Sequence, residues 1–328
     1  MNASPLAPRS HVSRIFPMQS HEESYFVPAY SGISTFMGCE HTRDLETADF
    51  AIVGVPLDSG ATSWRSGTRH GPRSIRANSR QIWGHNRHLH IAPTREFKVV
   101  DFGDVALDPT NLDASADNIT STLSAILNSN TRALTLGGDH SITYPLLRAH
   151  AEKHGPLAVI HFDSHTDTYQ WHPGLEHGNP FWMAIRDGCI DTGAYIQVGL
   201  RGPQSDAGEM EEAQNLGART VTIEECFELG VKNLVKLMRE HVGDRKVYIS
   251  LDIDSIDPSY APGTGTPEVG GFTSFQMLWL LRGLAGLNIV GADLVEVNPQ
   301  YDAGAMTSIL AANLAFEELC LMGLAKRP

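Results

Sequence analysis

The chain has 328 residues, 41% of them hydrophobic, which is enough to bury the core of one α/β domain without requiring two. Lys and Arg number 25 against 38 Asp and Glu, a net charge of −13 that favours solubility and argues against nucleic-acid binding. Cys39, Cys189, Cys226 and Cys320 are too widely spaced for a thiolate metal site or a redox pair, so reduced thiols in a cytoplasmic protein are expected.

In chain order, residues 1–25 mix Ser, Pro, Arg and His, which reads as an N-terminal arm without the apolar stretch of a secretory signal. Apolar strand runs then alternate with helical stretches, and no Gly/Ser or Pro-rich linker interrupts them, so 26–328 is expected to be one domain. Leu134, Thr135 and Leu136 run into Gly137, Gly138, Asp139 and His140, and a helix over 141–152 follows. The apolar run 157–160 leads into Asp163, Ser164, His165, Thr166 and Asp167. Between helices expected over 223–239 and 274–283, the run 247–251 leads into Asp252, Ile253 and Asp254. A last apolar strand covers 289–295. The stretch 307–324 is apolar, but Asn313, Glu317 and Glu318 interrupt it, so a buried C-terminal helix is expected and no membrane span.

Three of these strand ends carry potential metal ligands. In an extended segment alternate residues share a face, so Asp163, His165 and Asp167 are expected to point into one site. A lone Asp-x-Asp at a strand end is usually a turn or cap, and a lone histidine beside a core strand is usually a satisfied polar group. Six candidates from three strand ends reverse those odds, because such groups are costly to keep beyond buried strands unless they share a task. Open α/β sheets also bind ligands at the carboxyl ends of their strands. Asp163, Asp167, Asp252 and Asp254 would place four negative charges in one small volume, which calls for two divalent cations. Oxygen-rich ligation with some imidazole favours Mn2+, with Ni2+ the alternative and zinc, cobalt or iron still open.

These segments carry a resemblance. Gly137, Gly138, Asp139, His140 and Ser141, then Asp163 to Asp167, Ser250 to Pro258, and Glu296, Val297, Asn298 and Pro299 stand in the order found in the ureohydrolases, the arginase and agmatinase superfamily. The resemblance extends to Ala261 to Glu268 and to the loop Gly67 to Pro72. It implies a three-layer α/β/α sandwich with a mainly parallel sheet. It also implies one ion held by His140, Asp163, Asp167 and Asp252, and another held by Asp163, His165, Asp252 and Asp254. His177 matches the family's proton-transfer histidine, Glu296 the carboxylate that orients the guanidinium, and Asp167 is placed to accept a hydrogen bond from the attacking hydroxide. The implied activity is a binuclear metal-dependent amidinohydrolase that splits a guanidino compound into urea and an amine through a metal-bridging hydroxide. A homo-oligomer, trimer or hexamer, is implied too, with the arm on a neighbouring subunit.

Substrate choice departs from arginase. Tyr169 replaces the asparagine that arginases carry there, and Gly202, Pro203 and Gln204 follow Arg201 in place of an acidic pair, which argues against arginine. The agmatinase-like branch fits better, and agmatine, guanidinoalkanoates, guanidine and substituted guanidines or biguanides stay open. Tryptophans are core residues by default, but Trp171 falls in a loop expected over the metals, where Tyr169 and Trp171 would narrow the pocket. Two alternatives remain: a non-catalytic subunit of a hetero-oligomeric ureohydrolase, and a hydrolase of formimino compounds.

Overall fold

Nine strands, β1 (Glu40–His41), β2 (Phe50–Val55), β3 (Val99–Asp104), β4 (Arg132–Gly137), β5 (Leu157–Phe162), β6 (Ile190–Leu200), β7 (Arg219–Thr222), β8 (Lys246–Asp252) and β9 (Asn288–Val295), form one sheet in the computed structural model. Residues 28–58, 64–171, 173–204 and 207–326 are described; the arm expected over 1–25 lies outside them. The strand order is β1-β3-β2-β4-β9-β8-β5-β6-β7, and every pairing is parallel. Parallel strands must be covered on both faces, which is why they read as almost unbroken apolar runs.

The helices supply that cover. They are α1 (Gly71–Ser79), α2 (Pro93–Glu96), α3 (Leu112–Asn128), α4 (Thr143–His154), α5 (Pro180–Arg186), α6 (Glu209–Asn215), α7 (Ile223–Val242), α8 (Ser274–Gly283) and α9 (Met306–Lys326). On one face Ile52, Leu134, Ile160 and Leu251 pack with Ile75 of α1, Met238 of α7, Leu280 of α8 and Leu319 of α9. On the other, Val53, Ala133, Val159 and Tyr248 pack with Leu123 of α3, Leu147 of α4 and Phe181 of α5. The three-layer sandwich expected from the sequence is therefore present.

Boundaries match closely where caps are strong. Thr273 and Gln276 close a capping box that starts α8 at the expected residue. The helix expected over 141–152 begins instead as a 3-10 turn, His140–Ile142, that passes into α4. Gly230 (φ 68°) breaks the regular path of α7, which the continuous periodicity of 223–239 did not reveal. Helix α9 is long and apolar enough to cross a membrane, yet 72% of its most apolar window is buried inside the fold, so its apolarity belongs to the core. Trp64 and Trp83 depart from the default for aromatics, at 97% and 72% exposed.

From β4 the chain crosses through α4 to β5, leaving between them two positions that β8 and β9 fill later. The carboxyl ends of β4, β9, β8 and β5 thus lie side by side on one edge of the sheet. Such a switch in strand order opens a crevice for ligands.

Candidate metal centre

Each strand end delivers its side chains by a different local device. After β4 the chain turns hard against the exit of β2, with Gly138 N–H donating to Val55 O (3.0 Å) and Asp139 N–H to Leu57 O (3.0 Å). A Cβ on Gly138 would stand 2.4 Å from Leu57 O, so only glycine fits. Asp139 then caps the 3-10 turn by accepting from Ser141 N–H, which fixes His140 at its start. After β5 the strand ends at Phe162, and the backbone bends at Ser164 and His165. Asp163, His165 and Asp167 therefore do not share a face by strand alternation, as expected from the sequence; the bend and a left-handed Asp167 (φ 48°) bring them round. Glu296, directly after β9, is left-handed as well (φ 64°). Non-glycine residues in this region carry strain of about 1–3 kcal/mol, and such strain gathers at functional sites.

The structure brings the six sequence candidates together. His140 Nδ1 lies 3.0 Å from Asp163 Oδ2, 2.9 Å from Asp167 Oδ2 and 3.2 Å from Asp252 Oδ2. His165 Nδ1 lies 3.2 Å from Asp254 Oδ2 and 3.5 Å from Asp163 Oδ1. Asp252 Oδ1 accepts from Asp254 N–H (2.7 Å), which orients its other oxygen toward His140. All four carboxylates are at most 6% exposed.

The behaviour of these groups points to a cation cage. Burial drives the Asp252 carboxyl far above its usual range, and the charges of Asp254 and Asp163 add to the effect. Asp163 feels the same burial but is held well below its usual range by His161, His140 and His165. His140 Nδ1 is buried and has no hydrogen-bond partner despite three carboxylate oxygens within 3.2 Å. Three carboxylate oxygens crowd one imidazole nitrogen within 3.2 Å, a spacing that ligands of a single ion can share. This donor set fits divalent cations.

A second layer, which the sequence reading missed, holds the first. His140 Nε2 meets Ser250 Oγ at 3.0 Å, and Ser250 gives its hydroxyl proton to Asp293 Oδ1 at 2.7 Å. Asp293 also accepts from Tyr248 OH (2.8 Å) and Thr143 Oγ1 (3.0 Å). With its one proton spent on Asp293, Ser250 must accept from His140, so Nε2 carries a hydrogen and Nδ1 is the nitrogen left facing the carboxylates. His161 Nε2 likewise contacts Asp163 Oδ2 at 2.7 Å, and Phe181 of α5 stacks on His161 (3.9 Å between centroids) while meeting His140 edge-on.

The remaining candidates surround this cluster. Glu296 Oε1 accepts from His140 N–H (2.9 Å) and contacts His177 Nδ1 at 3.3 Å. Burial lowers the His177 imidazole, but the bond to Glu296 and the charges of Glu296, Asp167 and Asp139 outweigh it and raise the group to about 9. Tyr169 and Trp171 stack on each other at 4.2 Å and 17°, and Trp171 is 67% exposed. Tyr169 OH donates to Glu209 Oε1 (2.9 Å), and its ring lies so close to Gly178 that a Cβ there would stand 2.6 Å away.

The chain is similar to known proteins in sequence and in fold. The profile of the Arginase family matches residues 48–320. Mitochondrial agmatinase of Gallus gallus is 44% identical over 98% of this chain and 94% of its own length. Guanidinobutyrase of Pseudomonas aeruginosa is 43% identical over 90% of this chain and 94% of its own. The solved structure of proclavaminate amidino hydrolase from Streptomyces clavuligerus superposes with a TM-score of 0.87 at 42% identity, covering 91% of this chain and all of that one.

Proposed function

We propose, from the premise that this chain belongs to the arginase family, that it hydrolyses a guanidino compound to urea and an amine at a centre of two divalent metal ions. The observation that carries the reading is the buried, unpartnered His140 Nδ1 facing three carboxylate oxygens. His140, Asp163, Asp167 and Asp252 would hold one ion and Asp163, His165, Asp252 and Asp254 the other, with Mn2+ the expected metal and Ni2+ the alternative. When bound, the ions supply the Lewis acidity that makes water a competent nucleophile near neutral pH.

The chain's own residues do the rest. A guanidinium is resonance-stabilised and resists attack, so it must be held flat and its departing nitrogen must be protonated. Both acceptor positions of Glu296 Oε1 are engaged by His140 and His177, which leaves Oε2 for the planar cation. Asp167 accepts a hydrogen bond from the attacking water and aligns it with the guanidinium carbon. As the new carbon–oxygen bond forms, Asp167 takes one proton from the attacking water. As the carbon–nitrogen bond breaks, His177 gives a ring proton to the leaving nitrogen, the remaining hydroxyl proton of the nascent urea restores His177, and the amine leaves with the proton held by Asp167.

The experiment is a urea-release assay on agmatine, arginine, guanidinobutyrate, guanidinopropionate, guanidine and alkylated guanidines or biguanides, with protein loaded separately with manganese and nickel. Urea from at least one member supports the reading. Fully loaded protein that releases no urea from any of them overturns it.

A further inference from the structure

Sequence identity alone does not say whether the far end of the substrate is an amine or an acid, because relatives named for each are equally similar. The walls beside the centre do discriminate. A cavity of about 540 Å³ opens at the carboxyl ends of β5, β6 and β7, between the metal loop, which contributes Ser164 and Thr166, and the segment after β6, which contributes Arg201, Gln204 and Glu209. Thr166 is 2% exposed and its hydroxyl has no hydrogen-bond partner. Glu209 is 8% exposed and ties the cavity to the loop over the centre by accepting from Tyr169 OH.

Arg201 is the only cation lining this cavity among the described residues, and its guanidinium is turned away from any ligand. Its Nε donates to Val269 O (3.1 Å), Nη1 to Gly199 O and Ser255 O (3.3 Å each), and Nη2 to Asp254 O and Glu268 O (2.7 Å each). Five donors meet five main-chain carbonyls, so Arg201 is a structural strut with nothing left to receive a carboxylate. Glu209 and Glu224 make the wall net negative. A smaller cavity has the same sign: Asp58, Asp108 and Glu176 line it against Arg69, which pairs with Asp58 at 3.3 Å. A carboxylate tail would thus meet acidic groups in either cavity, and like charges brought together out of water repel by several kcal/mol.

Resting on the function proposed above, we propose that the larger cavity receives the far end of the substrate and selects a cationic, amine-like end over a carboxylate, with Glu209 as the selecting group. Tyr169 then acts as a positioning residue, because its hydroxyl fixes the carboxylate that reads the amine.

The test compares agmatine, butylguanidine and guanidinobutyrate, which share a four-carbon chain and end in a cation, a methyl group and an anion. Metal-loaded wild type should rank them in that order, with agmatine exceeding guanidinobutyrate about 100-fold in kcat/KM, mostly through KM. Glu209→Gln can still accept from Tyr169, and it should shrink the preference to within about tenfold at unchanged metal content. Gln204→Arg places an unpaired cation at an exposed position of the same wall and should raise kcat/KM for guanidinobutyrate. Urea release that favours guanidinobutyrate would overturn this inference while leaving the ureohydrolase reading intact. A preference for agmatine that neither variant moves would overturn the assignment to this cavity. Silence on all three substrates and on the wider panel would overturn the parent reading, and this one with it.

Discussion

Replacing Ser250 with alanine isolates the layer beneath the proposed metal ligands. Ser250 is fully buried, accepts from His140 Nε2 and donates to Asp293. Alanine fills nearly the same volume, so packing is almost unchanged. The substitution strands the His140 N–H and removes one of three donors from Asp293, and a buried group left one partner short costs about 1–3 kcal/mol. Since Asp293 keeps Tyr248 and Thr143, most of the loss falls on His140, and the metal-free protein should lose about 2 kcal/mol of stability. The larger effect should be on metal. Without the serine, His140 is free to rotate or to place its proton on Nδ1, and removing such a supporting bond typically weakens binding about 10–100-fold. Competition with a chromophoric chelator measures that affinity, and denaturant unfolding of the metal-free protein measures the stability term. Turnover at saturating metal should recover most of the wild-type kcat. A variant less stable by the expected amount but with unaltered affinity for both ions would refute the orienting role and leave Ser250 a packing residue.

The other expectations address the centre and its surroundings. Asp163→Ala and Asp252→Ala should each abolish urea release and reduce bound metal below one ion per chain by elemental analysis; a variant that keeps two ions would reject the bridging assignment. His177→Ala should keep both ions while kcat falls about 10²- to 10⁴-fold; loss of metal instead would place His177 among the ligands. In the metal-free protein His177 is raised to about 9 against about 6.5 when unfolded, so its pairing stabilises fully below pH 6.5 and is lost as pH rises through 9. The unfolding midpoint of metal-free wild type should therefore drop across that window, and that of His177→Gln should drop less; parallel profiles would sink the pairing with Glu296. Trp171→Ala should reorder guanidino substrates with little change in metal affinity, whereas equal losses on every substrate would point to packing alone.

What the sequence revealed and what it concealed follow from one physical difference. The candidate ligands are legible because each group sits within five residues of an apolar run, as Asp163, His165 and Asp167 do after β5, and the cost of leaving such groups unpaired shows in a single segment. The way they converge was not legible. Strand alternation was the natural expectation for Asp163, His165 and Asp167, and a bend with a left-handed Asp167 replaced it, which no side-chain pattern announces. Nor could the tie between Tyr169 and Glu209 be read, since it joins residues 40 positions apart.

The supporting layer is hidden in the sequence for a further reason: its members are single polar residues inside apolar strands, where each alone looks like noise. Sheet register makes them a set. Thr135 pairs with Asp293, Asp293 with Ser250, Ser250 with His161, His161 with Gln197, and Gln197 with Thr220, a continuous polar row across β4, β9, β8, β5, β6 and β7. Partners in register point to the same face, and two residues further along that face stand Asp163 after β5 and Asp252 at the end of β8. The period of two that keeps one face apolar therefore also carries a polar floor beneath the two carboxylates assigned to both ions. A slip of one residue in either strand would turn floor and ligand together to the opposite face. The register that buries the core and the register that assembles the proposed centre are thus a single constraint, which is why a site built at these strand ends stays coupled to the stability of the sheet.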